Sequence, residues 1–247
     1  MRTDMLHQRE GVVRRAGDIV REAHDIERAT MEKHGAADLV TKYDVAVQGF
    51  LQRELLALLP EADFLGEEGD HTTLTRPWTF IVDPIDGTTN FVRRLHYSDI
   101  SVALAQDGQT QYAVVYDPFA DELFSAQKDG GAFCNGLPIR VSERDMAHAV
   151  FLCGSTIYDR SLTEQNFSLI RQLYEKGLDF RRFGAAALDL CQVAAGRVEI
   201  NHLPASSAHA PVYPSDVFTV RGKGRFRLTA MPGKSKKDRQ IIEFFQY

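Results

Sequence analysis

The sequence predicts a mixed α/β fold, and three observations carry that expectation. Two stretches near the start place apolar residues at helical spacing. From Trp78 to Val141 the chain falls into short β-forming runs broken by Asp-Gly and Pro turns. Residues 150–196 then alternate strand-like and helix-like segments. At 247 residues and 44% hydrophobic, the chain can bury a sizeable core as one large domain or two small ones.

Taken in order, Val12, Ala16, Ile19, Val20, Ala23 and Ile26 recur at helical spacing with Arg, Asp and Glu opposite, which predicts a surface helix from about residue 4 to 30. Residues 31–40 break the pattern, and Lys33 is a solvated surface lysine unless the fold brings it near Asp83. Thr41-Lys42-Tyr43-Asp44 resembles a capping box. It precedes Val45, Val47, Phe50, Leu51, Leu55, Leu58 and Leu59, a second amphipathic helix ended by Pro60. The helix dipole alone accounts for Asp44 in a first turn, and the same place suits a base that polarises a water. Phe64-Leu65-Gly66-Glu67-Glu68-Gly69 predicts a short strand entering a loop, and a hairpin-like return would carry Glu67 towards Asp83.

Trp78-Thr79-Phe80-Ile81-Val82-Asp83-Pro84-Ile85-Asp86-Gly87-Thr88-Thr89-Asn90-Phe91 is the centre of the chain. It begins as a buried strand and breaks at a Pro-Ile-Asp-Gly turn, where Pro fixes φ and Gly permits a positive one. After it, Ile100–Gln106, Tyr112–Asp117, Leu123–Gln127, residues 130–136 and Pro138–Val141 predict an antiparallel meander. Val150–Ser155 predicts a buried strand, Leu162–Glu175 a helix and Phe180–Phe183 another strand. Residues 184–196 predict a small-residue helix closed by Gly196. Its start, Gly184–Ala186, serves either tight helix packing or backbone amides turned to a polar ligand.

Asp83 and Asp86 stand three residues apart where the strand leaves the core. As plain turn residues they need no further role, yet like charges this close repel unless a cation lies between them. Oxygen-only ligands favour Mg²⁺ or Mn²⁺. Gly87-Thr88-Thr89 can open a helix or an amide nest, an anion site. Glu67 is a third candidate ligand and Glu68 a group that orients water. With an Asp44–Thr88 pair to activate that water, the set describes metal-assisted hydrolysis of a phosphate ester with no protein nucleophile. The sequence contains no Walker loop, GxGxxG, HExxH or GxSxG, and its eight His do not cluster at ligand spacing.

Charge is unevenly placed. Residues 201–247 hold 8 Lys/Arg against 3 Asp/Glu, a balance of +5, and the first 200 hold 21 against 31, a balance of −10. The acidic body argues against nucleic acid as the main partner. Cys134, Cys153 and Cys191 form no CxxC pair, which suits a reducing compartment. A charged helical start and no membrane-length apolar run predict a cytoplasmic protein without a membrane partner.

Four segments together carry a resemblance. They are Asp38-Leu39-Val40-Thr41 with Asp44, Gly66-Glu67-Glu68, Val82 to Phe91, and Arg182-Phe183-Gly184-Ala185-Ala186-Ala187-Leu188-Asp189. Over about residues 5–200 the chain resembles the inositol monophosphatase family of magnesium-dependent, lithium-sensitive phosphatases. The resemblance implies a layered αβαβα sandwich, commonly dimeric, so a homodimer is expected. It implies Mg²⁺ held by Glu67, Asp83, Asp86 and the Ile85 carbonyl, with Mn²⁺ as a substitute and Li⁺ as an inhibitor. Gly87 and Thr88 would hold phosphate, Asp44 and Thr88 would activate the water, Lys33 would lie at the pocket edge, and Ala186 would meet the substrate alcohol through its backbone. The implied substrate is inositol monophosphate or a similar small phosphorylated polyol or sugar.

The chain departs from that family near residue 200. Family members continue with a strand carrying a Glu and then Trp-Asp-x-Ala-Ala/Gly, whose Asp binds a second metal. Here the sole Trp is Trp78, and Asp216, in a Pro-Ser context, does not match. The expected organisation is a phosphatase-like domain over residues 1–200 and a Pro-rich, basic, poorly ordered tail over 201–247, read as an altered reading frame or replaced terminus. The missing Asp predicts a weaker second metal and impaired activity, and leaves open a non-catalytic binding or regulatory relative. An aspartyl-nucleophile phosphatase of the haloacid dehalogenase type is disfavoured, because Asp-x-x-Asp with Pro84 between lacks the Asp-x-Asp alternation.

Overall fold

The computed structural model describes residues 2–32, 39–68, 74–154 and 160–202. Lys33, Asp38 and residues 203–247, including Asp216 and nearly all of the expected tail, lie outside the described residues.

Helix α1 spans Arg2–Arg21, shorter than the expected 4–30. Asp25 takes a positive φ of 52°, which a continuing helix does not admit, and a 3₁₀ turn at Glu27–Ala29 follows. Strand β1 (Thr30–Glu32) pairs antiparallel with β2 (Leu39–Thr41) where only a break in helical pattern was expected. Helix α2 (Lys42–Leu58) starts at the expected capping box, with Thr41 Oγ1 accepting from the Tyr43 and Asp44 amides and Asp44 accepting from the Thr41 amide.

Strand β3 (Asp63–Gly66) lies parallel to β4 (Trp78–Asp86), in register Gly66↔Val82. The expected hairpin-like return is therefore corrected: both strands end at the same edge, and parallel register sets the residue after Gly66 beside the residue after Val82. The expected break at Pro84 is corrected too. Strand β4 runs on to Asp86, with a register shift against its neighbour between Asp83 and Asp86. A bulge accommodates a proline that has no N–H for the ladder. Gly87, at φ +82°, turns the chain into the short helix α3 (Thr88–Val92).

Strands β5 (Asp99–Gln106), β6 (Gln109–Asp117), β7 (Glu122–Gln127), β8 (Gly131–Cys134) and β9 (Leu137–Pro138) complete a seven-stranded sheet in the order β3-β4-β5-β6-β7-β8-β9. The last strand is shorter than the expected Pro138–Val141. Strand β10 (Val150–Cys153), helix α4 (Thr163–Tyr174), strand β11 (Asp179–Arg181), helix α5 (Ala186–Ala194) and strand β12 (Ile200–His202) form a second unit. Its three strands are parallel, in the order β11-β10-β12, so the sheet runs past residue 200.

Burial stacks these parts into five layers. On one face of the large sheet, α1 and α2 bury Val12, Val13, Ala16, Val47, Leu51 and Leu55 against Phe80, Val82, Ile100 and Val102. On the other face, α5 sets Leu188, Leu190 and Cys191 against Ile81, Ala103, Val115 and Phe124. Helix α5 also packs Val193 against Leu152 of the smaller sheet and against Val198, which leads into β12. Helix α4 closes the far side with Ile170 and Leu173 on Ala149, Phe151 and Cys153. The architecture is the αβαβα sandwich expected from the sequence, with α5 as the middle layer.

Leu188 is fully buried in that middle layer and Leu137 is 72% exposed at the sheet edge. Urea unfolding should show Leu188→Ala costing about 2–5 kcal/mol and Leu137→Ala within about 0.5 kcal/mol of the parent.

Candidate active site

The site forms where β3 and β4 end, and Asp83 is buried there, 8% exposed with Oδ1 enclosed and without a hydrogen-bond partner. Burial raises its pKa well above the usual carboxylate range, and the charges of Glu67, Asp86 and Asp99 raise it further. Glu67 lies within hydrogen-bond reach of Asp83. Asp86 is pushed up to about 6, by burial first and by Glu67 among its neighbours, against hydrogen bonds that favour its charge. The structure therefore brings Glu67, Asp83 and Asp86 together.

Helix α2 supplies the wall. Asp44 is 1% exposed and accepts from the amide and hydroxyl of Thr41 at 2.8 and 2.6 Å. Burial lifts it to about 6 despite those bonds, with Glu68 and Glu67 adding to the rise. One helical turn on, Gln48 donates to the Glu68 carbonyl at 2.7 Å and accepts from the Glu68 amide at 2.8 Å. A Cβ on Gly66 would stand 2.3 Å from the Gln48 amide, so glycine there lets Gln48 reach the turn. Gln48 went unread in the sequence because an amide on a helix carries no motif; its i,i+4 spacing from Asp44 is the one available signal.

Thr88 Oγ1 donates to the Ile85 carbonyl at 3.1 Å, so the hydroxyl and the candidate ligand oxygen lie together at the β4–α3 turn. In this arrangement Asp44 bonds to Thr41 and the Thr88 hydroxyl to Ile85. Thr89 is exposed at the start of α3. A Cβ on Gly87 would stand 3.0 Å from Ala185 Cβ and 3.2 Å from the Tyr97 carbonyl, so the turn fits only a glycine closely.

Helix α5 closes the site from the opposite side. Ala185 offers no side-chain cap, and the Ala187 amide donates to Asp86 Oδ2 at 2.6 Å instead. The N-terminus of α5 thus faces the acids, with Ala186 at its first position. Behind it, Tyr97 donates to Asp189 Oδ1 at 2.9 Å, and burial lifts Asp189 to about 7. Asp99 is fully buried beside its ladder partner Asp86, and neither of its oxygens has a donor in good geometry, although the Leu188 amide lies near. Asp99 and Asp189 were missed because each looks like an ordinary acid in a strand or a first helical turn; an acid directly preceding the apolar run Ile100–Ala105 was the signal for Asp99.

The donor set suits a hard cation: carboxylate and carbonyl oxygens only, with a buried oxygen left over on Asp83. Among the described residues, no group of three or more His, Cys, Asp or Glu side chains stands in a geometry that would hold a metal ion.

A five-layer sandwich with carboxylates gathered where two parallel strands end is a phosphatase fold. The chain belongs to the inositol monophosphatase family, whose model matches residues 1–208. It is 35% identical over 189 residues to the Nus factor SuhB of Salmonella typhimurium, covering 75% of this chain and 71% of that protein. It is 35% identical over 194 residues to an inositol-1-monophosphatase of Rhizobium meliloti, covering 77% and 72%. The crystal structure of the extragenic suppressor protein suhB from Bartonella henselae superposes with a TM-score of 0.74 at 31% identity, covering 81% of this chain and 76% of that one. No helix among the described residues is long and apolar enough to cross a membrane.

The raised carboxyls make stability depend on pH. A folded-state pKa above the ordinary 3.8 means that the folded chain holds these protons more tightly than the unfolded one. The contribution is complete below the ordinary value and is lost as pH rises through about 6 to 7. With divalent cations chelated, the urea midpoint should fall between about pH 5 and about pH 8, and Asp189→Asn should shrink the fall.

Proposed function

We propose that this chain is a Mg²⁺-dependent phosphomonoester hydrolase acting on inositol monophosphate or a similar small polyol or sugar phosphate. The observation that carries the reading is the meeting of Glu67, Asp83 and Asp86 at the ends of β3 and β4, with Asp83 Oδ1 buried and unpartnered. The name of the Rhizobium relative supports the substrate class.

In this reading Glu67, Asp83, Asp86 and the Ile85 carbonyl hold the cation. When bound, it lowers the pKa of a water and neutralises charge that develops on the leaving oxygen. The protein does the rest. Gly87, Thr88 and Thr89 present backbone amides and hydroxyls to the phosphate at the start of α3. Asp44 accepts the proton of the attacking water, with Thr88 orienting that water and Glu68 assisting. A base lifted to about 6 is well matched to such work near neutral pH. The first turn of α5 at Ala186 meets the alcohol of the substrate.

A second reading, a binding or regulatory protein that keeps the fold, is favoured by the relatives named as Nus factors and by the absence of a Trp-Asp pair after Trp78. Phosphate release from inositol 1-phosphate separates the two. The catalytic reading expects release that requires Mg²⁺, stops on chelation and falls to background in Asp83→Asn. Asp44→Asn should lower kcat on the order of 10²-fold or more with little change in thermal stability. A folded parent chain that releases no phosphate at any Mg²⁺ concentration would favour the binding protein.

A further inference from the structure

Three segments meet at the site: the turn 86–90, the approach to β5 at Tyr97-Ser98, and the approach to α5 at 183–187. Asn90 joins them. It is 6% exposed, and its Nδ2 donates to the Tyr97 carbonyl at 2.8 Å and to the Phe183 carbonyl at 2.7 Å, using both amide protons. The two acceptors belong to different layers, since Tyr97 leads into the large sheet and Phe183 into the middle helix. Gly184, at φ +91°, presses on the same amide: a Cβ there would stand 3.4 Å from Asn90 Nδ2. Three residues past that contact, the Ala187 amide reaches Asp86 Oδ2. The rings of Tyr97 and Phe183 lie against one another at 4.8 Å between centroids, which completes the seam.

We propose that Asn90 is a positioning residue: by tying the Tyr97 and Phe183 carbonyls together, it seats the first turn of α5 against the Asp86–Thr88 turn and sets the span between the phosphate end and the alcohol end of the pocket. The inference deepens the phosphatase reading and rests on it for the identity of those two ends. An amide suits the task because it offers two donors at a fixed angle from a short, buried stem. Asn90→Asp keeps the shape but turns an acceptor towards two carbonyl oxygens, and Asn90→Ala removes the tie outright.

The test separates the span from its halves. Inositol 1-phosphate reaches both ends, whereas inorganic phosphate occupies one. In Asn90→Asp and Asn90→Ala the KM for inositol 1-phosphate should rise on the order of tenfold, a scale expected from a small displacement of positioning groups. The inhibition constant of inorganic phosphate should stay within about twofold of the parent, since the Thr88 hydroxyl bonds to the Ile85 carbonyl and to neither of the carbonyls that Asn90 ties. Hydrogen exchange should show the Ala187 amide opening faster in both variants, with the α2 amides unchanged. Asn166→Ala, a buried polar truncation on α4, serves as a control for general loosening and should leave the KM unaltered. Equal losses for phosphate and substrate, an unchanged KM, or a control that reproduces the split would overturn the proposal. If the parent chain proves inactive, faster exchange at Ala187 would keep the seating role and retire the phosphatase reading, while unchanged exchange would overturn the role itself.

Discussion

The constraint on which this structure depends is the crowding of carboxylates where β3 and β4 end in parallel. Parallel register pairs Gly66 with Val82, so Glu67 and Asp83 follow at the same edge, and the register shift between Asp83 and Asp86 falls there too. Removing such charges from water is costly unless protons, donors or a cation compensate. Asp86 accepts from the Ala187 amide, with the Gly87 amide also close, while Asp83 Oδ1 is buried without a partner. Burial and mutual repulsion raise these acids together. Under the proposed function, a divalent cation would relieve the repulsion that the fold itself creates.

The surrounding layers serve that edge. Helix α2 contributes Asp44 and, through Gln48, fixes the Glu67-Glu68 turn from one side. Helix α5 contributes its open first turn from the other. Because α5 packs on both sheets at once, the second unit brings its helix terminus to acids contributed by the first. Close approach is possible because Gly87 and Gly184 both adopt positive φ, leaving backbone against backbone where side chains would hold the segments apart.

Much of this was legible in the sequence, for physical reasons that differ by element. The capping box at Thr41 and the apolar face of α2 are local signals, and both appear as expected. The acids Glu67, Asp83 and Asp86 were legible because charged residues interrupt apolar strands near glycine. The pairing of β3 with β4 was not, since strand direction depends on what crosses between them rather than on either strand. The run of β4 through Pro84 was hidden because a bulge has no simple residue signature. The helix at the start was overextended because Ala23 and Ile26 keep the apolar period past the point where Asp25 turns the backbone. Asp99, Asp189, Gln48 and Asn90 act across the fold, through neighbours distant in sequence, and local pattern carries little trace of them.

Calorimetric titration of the metal-free protein with Mg²⁺ near pH 6, repeated in buffers of different ionisation enthalpy, tests the central claim most directly. Asp86, lifted to about 6 by burial and crowding, is partly protonated at that pH, so cation binding should release protons to the buffer, and Asp83→Asn should lose the binding and with it the release. Binding that releases no protons, or that survives loss of the Asp83 carboxylate unchanged, would contradict an account built on the crowded acids at the ends of β3 and β4.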